Sequence, residues 1–150
     1  MPKVAIHKLE PERMAEAYPL IRHLAWVEPA QWSAFGRHLA DQGGGVLAAE
    51  VEGRQIYGVA AYLPVANLKH GSALRVEAIA AIEFGLASPI RKTLLAALDE
   101  VAKLKGCKVV MVTLDARRML SHGSKRRRNW ESLGLTAEAI EFVHRFDGDD

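Results

Sequence analysis

Residues 85–98, GLASPIRKTLLAAL, contain groups that could bind an anionic ligand. They are typical of a loop that opens into a helix directly after an apolar, strand-like run. The first turn of a helix carries backbone N–H groups without helical partners and the positive end of the helix dipole, and together these bind phosphate. The amides of Ile90 and Arg91 would point at such a ligand. The side chains of Arg91, Lys92 and Thr93 could add charge and hydrogen bonds.

The same string also fits a helix that binds nothing. Ser88 is a natural N-cap residue, and Pro89 is a natural first helical residue. Proline has no N–H, and the Ser88 hydroxyl would compete with an anion for one of the remaining amides. A capped helix with a basic solvent face therefore stays open as the alternative to a phosphate site.

A charged residue, Glu77, lies inside the apolar run of residues 72–84. Burial raises the pKa of a carboxylate, and a raised pKa suits a general base that works near neutral pH. The alternation of a strand could instead direct Glu77 to solvent or into an ion pair with Arg75. Both interpretations stay open. Glu83, nearer the end of the run, is expected to be a solvated surface group.

Length and composition limit the class of protein. The 150 residues are 49% hydrophobic and 25% charged, with a formal net charge of +2, which is typical of one soluble globular domain over residues 1–150. The single cysteine cannot form an internal disulfide, and no ligand spacing indicates a metal. Neither a leader pattern nor a membrane-length apolar run is found, so we expect a cytoplasmic protein without a membrane partner. The final residues, 147–150, are expected to be a disordered tail.

Residues 125–128, KRRR, form a run of four basic residues. Consecutive helical residues point in different directions, so these side chains do not make one basic face. Neither a second basic cluster nor interleaved aromatic residues accompany them, and we do not expect a nucleic-acid partner. The run is typical of a solvated helix start, although one arginine could meet an anionic group.

Hydrophobic periodicity predicts an α/β domain with the order β-α-α-β-β-β-α-β-α-β. Strands are expected at residues 3–9, 46–51, 55–63, 72–84, 107–114 and 137–146, and helices at 10–26, 28–42, 88–105 and 124–134. Pro19 is expected to kink the first helix or to end its first part. Residues 115–123 are expected to be irregular. A mixed sheet with helices on both faces is the simplest architecture for this order, with one right-handed crossover near residues 73–114.

This order and several local strings resemble the GNAT acyltransferases, the acetyl-CoA-dependent N-acetyltransferases. EAYPLIRHLA is similar to the first helix of the family, and GGGVLAAEVEGRQIYGVAAYLP is similar to its second and third strands. Residues 76–114 match, without gaps, the family pattern of strand four, phosphate loop, helix three and strand five. NWESLGL stands where the family usually has Phe-Tyr-Glu-x-x-Gly-Phe. The resemblance covers nearly the whole chain, and it implies a mixed, mostly antiparallel sheet of about six to seven strands.

The resemblance also implies a reaction and a site. An acetyl or other acyl group would pass from acetyl-CoA, the co-substrate, to the amine of a small molecule or a protein. Glu77 falls where many members carry the carboxylate base. The family further implies a homodimer. The implied cofactor contacts are the backbone of Ile79, Ala80, Ala81 and Ile82 for the pantetheine arm, and Leu86, Ala87, Ser88, Ile90, Arg91, Lys92, Thr93 and Trp130 for the rest of CoA.

The chain departs from the family at two motifs. The phosphate-loop signature Gln/Arg-x-x-Gly-x-Gly/Ala falls on Leu86, Pro89 and Arg91, so all three signature positions differ. Trp130 stands at the place of the tyrosine that often protonates the leaving thiolate, and an indole N–H cannot release a proton at useful pH. These departures support an alternative function, a catalytically inactive GNAT-fold protein that binds or regulates.

Overall fold

The computed structural model describes residues 3–24, 26–53, 55–83 and 89–146. The strands are β1 (Val4–Lys8), β2 (Gly45–Val51), β3 (Gln55–Asn67), β4 (Gly71–Ala81) and β5 (Val109–Val112). The helices are a 3-10 helix (Pro11–Ala17) and the α-helices α1 (Tyr18–Ile21), α2 (Pro29–Asp41), α3 (Pro89–Leu104), α4 (Ala116–Leu120) and α5 (Lys125–Ser132).

All five strands of the described chain belong to one sheet, in the order β1-β2-β3-β4-β5. The first four pair antiparallel with their neighbours, and β4 and β5 pair parallel, with α3 as the connection between them. The predicted mixed, mostly antiparallel sheet is therefore confirmed, with fewer strands than expected. A parallel pair needs a long crossover, which explains why a full helix separates β4 from β5.

Helices cover both faces of the sheet, as predicted. On one face the 3-10 helix, α1 and α2 contribute Met14, Leu20, Trp32 and Leu39 to a core with strand residues such as Val59. The indole N–H of Trp32, a buried polar group, donates to the carbonyl oxygen of Met14 at 2.7 Å, so the tryptophan is a core residue.

The helix on the opposite face, α3, lies very close to β3. A Cβ atom built on Gly58 would lie 2.5 Å from Cγ2 of Ile90 and 2.9 Å from Cδ1 of Leu94. Both of these side chains are fully buried. Only glycine leaves room for the first turns of α3 at this depth, because real side chains do not tolerate such separations.

Three predicted elements bear comparison with the structure, and a fourth lies outside the described residues. The expected break near Pro19 is confirmed: a 3-10 helix at Pro11–Ala17 is followed by α1 at Tyr18–Ile21, which ends before the predicted boundary at residue 26. Residues 116–120 form the helix α4 where irregular chain was expected. The predicted strand at residues 137–146 is wrong, because these residues have no regular structure and no strand beside them. The expected tail, residues 147–150, lies outside the described residues.

The chain divides into two compact units, Met1–Thr113 and Leu114–Asp150. The first unit contains the sheet, the 3-10 helix and α1 to α3. The second contains α4 and α5. The expectation of a single domain over residues 1–150 stays a prediction.

An ion-pair cluster joins the 3-10 helix to β1 and β2. The carboxylate of Glu50, 15% exposed, has Oε1 2.9 Å from Nη2 of Arg13 and 2.7 Å from Nε2 of His7. Arg13 also binds Glu16 through two hydrogen bonds of 2.8 Å. The hydrogen bond from Arg13, followed by the contact with His7, holds the pKa of Glu50 below its ordinary value. This pKa shift links the stability of the fold to pH.

Replacing Glu50 by Gln is expected to lower the free energy of unfolding by about 1 kcal/mol at neutral pH, since charge-assisted hydrogen bonds to partly solvated partners are lost. The pKa of Glu50 is lower in the folded chain than in the unfolded chain. The contribution of Glu50 to the free energy of unfolding is therefore complete above the unfolded pKa of about 4.3. This contribution disappears as the pH falls through the folded pKa. Urea unfolding of the native chain and of Glu50→Gln, at neutral pH and at about pH 3, measures how the difference in free energy of unfolding changes with pH.

Glu16→Gln is the matched control, because Glu16 binds the same arginine but is 49% exposed, and a smaller loss is expected. The lowered pKa of Glu50 would be contradicted if the native chain and Glu50→Gln differed in free energy of unfolding by the same amount at both pH values.

Candidate functional site

The two parallel strands of the sheet have unequal lengths. In the parallel pair of β4 and β5, the first paired residues are Ala73 and Val109, and the last are Val76 and Val112. Just beyond them, the amide of Thr113 donates to the carbonyl of Val76 at 2.9 Å. β4 then continues to Ala81, still paired with β3 on its other side. The later part of β4 therefore has one edge that no described strand covers.

The register with β3 identifies the backbone groups on this open edge. The amide of Ile82 donates to the carbonyl of Tyr57 at 2.8 Å, and Ala80 lies opposite Val59. Polar backbone groups alternate between the two edges of a strand. Ala80 and Ile82 therefore direct their N–H and C=O groups toward β3, and Ile79 and Ala81 direct theirs toward the open edge.

Within the predicted pantetheine segment, residues 79–82, the side chains differ in exposure. Ile79 is buried, Ala80 and Ala81 are half-buried, and Ile82 is exposed. An extended ligand could pair with the backbone of Ile79 and Ala81 without displacing any of these side chains.

Glu77 lies at an irregularity of β4. Ala61 pairs with Ala78, and Tyr62 pairs with Val76, so Glu77 has no partner opposite it on β3. Such a bulge re-aims a side chain and often occurs near functional sites. Oε1 of Glu77 lies 2.5 Å from Nε of Arg75, and the side chain is 36% exposed. The sequence left open whether Glu77 is a buried base, faces solvent or forms an ion pair, and the ion pair with Arg75 is present. The role of Glu77 as a base stays a prediction.

The first turn of α3 already binds a carboxylate. Oε1 of Glu83 accepts a hydrogen bond from the amide of Arg91 at 2.9 Å, and Oε2 accepts from the amide of Ile90 at 3.3 Å. Nε of Arg91 lies 4.0 Å from Oε1. The side chain of Glu83 is only 15% exposed, so the expectation of a solvated surface group is wrong. The unpaired amides and the helix dipole attract a negative group, and Glu83 is the nearest one in the chain.

Part of the predicted phosphate loop cannot be placed. Leu86, Ala87 and Ser88 lie outside the described residues, and so does the predicted N-cap at Ser88. α3 begins at Pro89, in agreement with the preference of proline for the first helical position.

The remaining predicted phosphate contacts lie on the first turn of α3. The side chain of Ile90 is fully buried against β3, so only its backbone faces Glu83. Arg91 is 21% exposed, Thr93 is half-buried and Lys92 is exposed. The structure thus brings the amides of Ile90 and Arg91 and the side chain of Arg91 together around one carboxylate.

Trp130 and the basic run belong to the second unit, on α5. This helix is confirmed, and Oγ of Ser124 caps it by accepting a hydrogen bond from the amide of Arg127 at 3.1 Å. Trp130 is half-buried. Nη1 of Arg128 donates to the carbonyl of Gly123 at 2.9 Å, and Nε of Arg127 lies 3.6 Å from Glu131. Two of the four basic side chains, those of Arg127 and Arg128, therefore make contacts in or next to their own helix.

The described residues contain neither a metal-binding cluster nor a membrane-spanning helix. No group of three or more His, Cys, Asp or Glu side chains in that part of the chain could hold a metal ion. No described helix is long and apolar enough to cross a membrane.

Comparisons with known proteins give a match at the level of structure. No protein-family model matches the chain, and no curated protein sequence matches it significantly. The aminoglycoside N-acetyltransferase AAC(6')-Iy, solved in complex with CoA, superposes with a TM-score of 0.78 over 98% of this chain and 97% of its own, at 14% identity.

Two other solved structures give similar scores. The aminoglycoside 6'-N-acetyltransferase AAC(6')-Ih from Acinetobacter baumannii has a TM-score of 0.77 at 14% identity, covering 97% of this chain and 100% of its own. Glucosamine-6-phosphate N-acetyltransferase from Arabidopsis thaliana has a TM-score of 0.71 at 16% identity, covering 97% and 99%. At such identities a likeness establishes the architecture alone. The chain has the fold of the GNAT N-acetyltransferases.

Proposed function

We propose that the chain is an N-acyltransferase of the cytoplasm that transfers an acetyl or other acyl group from acyl-CoA to an amine. The observation that carries this proposal is the open edge of β4 beside the first turn of α3. It offers backbone groups for an amide-containing arm and helix amides for a diphosphate, which are the two chemical parts of CoA. A GNAT-fold neighbour was solved in complex with CoA, which supports the choice of cofactor.

The pantetheine arm would add to β4 in the manner of an extra strand. The C=O and N–H groups of Ile79 and Ala81 would exchange hydrogen bonds with the amides of the arm, and this needs no particular side chain. The diphosphate would accept from the amides of Ile90 and Arg91 at the positive end of the helix dipole. The side chains of Arg91, Lys92 and Thr93 would supplement these contacts.

The remaining implied contacts rest on the family pattern. Leu86, Ala87 and Ser88 would complete the phosphate loop before α3. Trp130 would pack against CoA through its ring, because an indole offers a large apolar surface and a single N–H donor.

The chemical step is the attack of an amine nitrogen on the thioester carbonyl carbon. The C–N bond forms, the C–S bond breaks, and CoA leaves as a thiolate. Glu77 would accept the proton that the amine loses, directly or through a water molecule. The ion pair with Arg75 holds the Glu77 carboxylate at the bulge of β4, where its side chain is 36% exposed. Trp130 cannot protonate the thiolate, so a proton from water completes the reaction.

The acceptor is an amine of a small molecule or a protein. The solved neighbours carry names with different acceptors, an aminoglycoside in one and glucosamine-6-phosphate in another. Acceptor choice therefore varies within this fold, because function depends on the site and not on the architecture.

A second candidate function is favoured by Glu83. Its carboxylate already uses the two amides that a diphosphate would need, and the two anions cannot share them. If Glu83 stays in place, the chain is a GNAT-fold protein that binds or regulates without acyl transfer. If the Glu83 side chain moves away when CoA binds, the chain can be an acyltransferase in which the diphosphate must first displace this carboxylate.

Calorimetric titration of the full chain with acetyl-CoA and with CoA tests the first proposal. We expect a Kd below millimolar for both ligands. Glu77→Gln is expected to leave the CoA affinity within about twofold and to lower the rate of thiol release with a reactive amine by about 100-fold or more, which is the usual effect of a general base. The amines tested would include aminoglycosides, amino sugars and peptide N-termini.

Glu100→Gln is the matched control, since Glu100 lies on α3 but is 71% exposed and contacts only Lys103 among the ion pairs described. It should change neither affinity nor rate. Failure of both CoA and acetyl-CoA to bind at millimolar concentration would exclude the acyltransferase.

Glu83→Gln separates the two candidate functions. Removing the negative charge at the helix amides is expected to tighten CoA binding about tenfold, because a close like charge opposes the diphosphate. Glu83→Ala should bind CoA at least as tightly, and it should lower the free energy of unfolding by about 1 kcal/mol, since it also loses a helix cap. Calorimetry and urea unfolding measure the two effects. Unchanged or weaker CoA binding in Glu83→Gln would show that Glu83 does not compete for this site.

A further inference from the structure

Two opposite charges lie side by side on β4, at the point where its pairing with β5 ends. Nε of Arg75 lies 2.5 Å from Oε1 of Glu77, two positions further along the strand. Arg75 is opposite Leu63 on β3 and Met111 on β5, whereas Glu77 has no partner on β3. Glu77 also follows Val76, the last residue of β4 that pairs with β5. The ion pair therefore spans the junction between the paired and the open part of this edge.

The pair lies on the sheet face that the 3-10 helix, α1 and α2 cover. Residues opposite one another in adjacent strands share a face, and Leu63, the β3 partner of Arg75, packs against the core beneath these helices. All the residues that form this face and the ion pair belong to the first unit, Met1–Thr113. Ligand sites are typically apolar with a few placed polar groups, and a charged pair beside a hydrophobic core has that character.

The proposed acyl transfer would take place beside this ion pair. A diphosphate at the first turn of α3 would start the pantetheine arm beyond the end of β4, and the arm would follow the open edge back along the strand. The arm cannot pass Val76, because β5 occupies the edge from that residue on. The thioester at the end of the arm would therefore lie near Glu77, with Arg75 two residues away.

We propose that the acyl acceptor is a free α-amino acid, whose carboxylate binds Arg75 and whose amine lies at Glu77. This inference rests on the proposed acyltransferase function. A guanidinium has five N–H donors in one plane, so one arginine can bind Glu77 through Nε and a second carboxylate through its Nη groups at the same time. The amine is positively charged until it gives up a proton, so each charge of the amino acid would meet an opposite charge of the protein.

The spacing of the two protein charges favours α-amino acids over other amines that carry an anionic group. Arg75 and Glu77 are in direct contact, so the acceptor groups that bind them must also lie close together. A single carbon separates the amine from the carboxylate in an α-amino acid, whereas many bonds separate amine from phosphate in a phosphorylated amino sugar. The product would be an N-acyl amino acid: the C–N bond forms, the C–S bond of the thioester breaks, and the proton of the amine passes to Glu77.

Acylation rates with matched acids and amides test the acceptor class. L-Alanine, L-leucine and L-phenylalanine would each be compared with its amide, which keeps the amine and the side chain but has no anion. With the native chain and acetyl-CoA, the best acid should exceed its amide in kcat/KM by about 10- to 100-fold, the usual effect of hydrogen bonds to a charged group. β-Alanine and γ-aminobutyrate, in which the two charges lie further apart, should be poorer acceptors than L-alanine.

Variants of Arg75 test which residue reads the carboxylate. Arg75→Gln should bring the acid-to-amide ratio of kcat/KM to within about threefold of one, and Arg75→Lys, which keeps the charge but not the planar fork, should keep part of the preference. The ratio is the decisive readout, because a general loss of catalysis from the broken ion pair with Glu77 affects acid and amide alike. Arg13→Gln is the matched control: Arg13 also pairs with a glutamate of the sheet, Glu50, and its loss should leave the ratio unchanged.

Calorimetry with the same acids and amides, without CoA, separates this inference from the acyltransferase proposal. A chain that binds without acyl transfer should still bind the acids more tightly than the amides, and Arg75→Gln should lose this difference. The inference is overturned if the native chain shows no preference for acids in either rate or affinity, or if the preference survives in Arg75→Gln. Neither result affects CoA binding, which is the test of the acyltransferase itself.

Discussion

The unequal length of β4 and β5 is the constraint on which the rest of the site depends. β4 has 11 residues and β5 has four, so the pair can share hydrogen bonds only along part of β4. The chain leaves the sheet after Thr113 and starts α4 from Asp115, which ends the pairing. α3 connects the same two strands, and Glu83, two residues after the end of β4, binds the first amides of this helix. One difference in length thus creates a backbone edge and a helix terminus in consecutive parts of the chain.

The N-terminus of α3 differs from an anion-binding site with free backbone amides, because a carboxylate of the chain already binds there. Backbone amides attract any nearby negative group, whether it arrives with a ligand or belongs to the protein. Glu83 is held there by two amides, and Arg91 lies close enough to balance its charge. Pro89 removes one further donor at the same turn. The departures at Pro89 and Arg91 therefore lie at a helix terminus whose first amides already bind a carboxylate of the chain.

The sequence predicted the elements that long periodic patterns specify. The β4-α3-β5 crossover and α2 appear as expected, because their apolar faces repeat over many residues and bury a core. Glu83 was misjudged because its hydrogen-bond partners, the amides of Ile90 and Arg91, are seven and eight residues away, a separation that strand alternation does not address. Residues 137–146 have the alternation of a strand, but a strand also needs a neighbouring strand, and the alternation of one segment does not provide it. The position of Glu77 at a bulge likewise depends on strand register, which one sequence does not specify.

Gly58 has a consequence that reaches beyond the core. The residue that occupies the space above it is Ile90, and the amide of the same Ile90 faces Glu83. Ile90 therefore links two features of the structure. Its side chain sets the depth at which α3 lies on the sheet, and its amide is part of the turn that binds the carboxylate. A methyl group added to β3 would raise the start of the helix and move both amides away from the edge of β4. In the proposed acyltransferase, ligand affinity would thus depend on a position in the hydrophobic interior that the ligand itself does not contact.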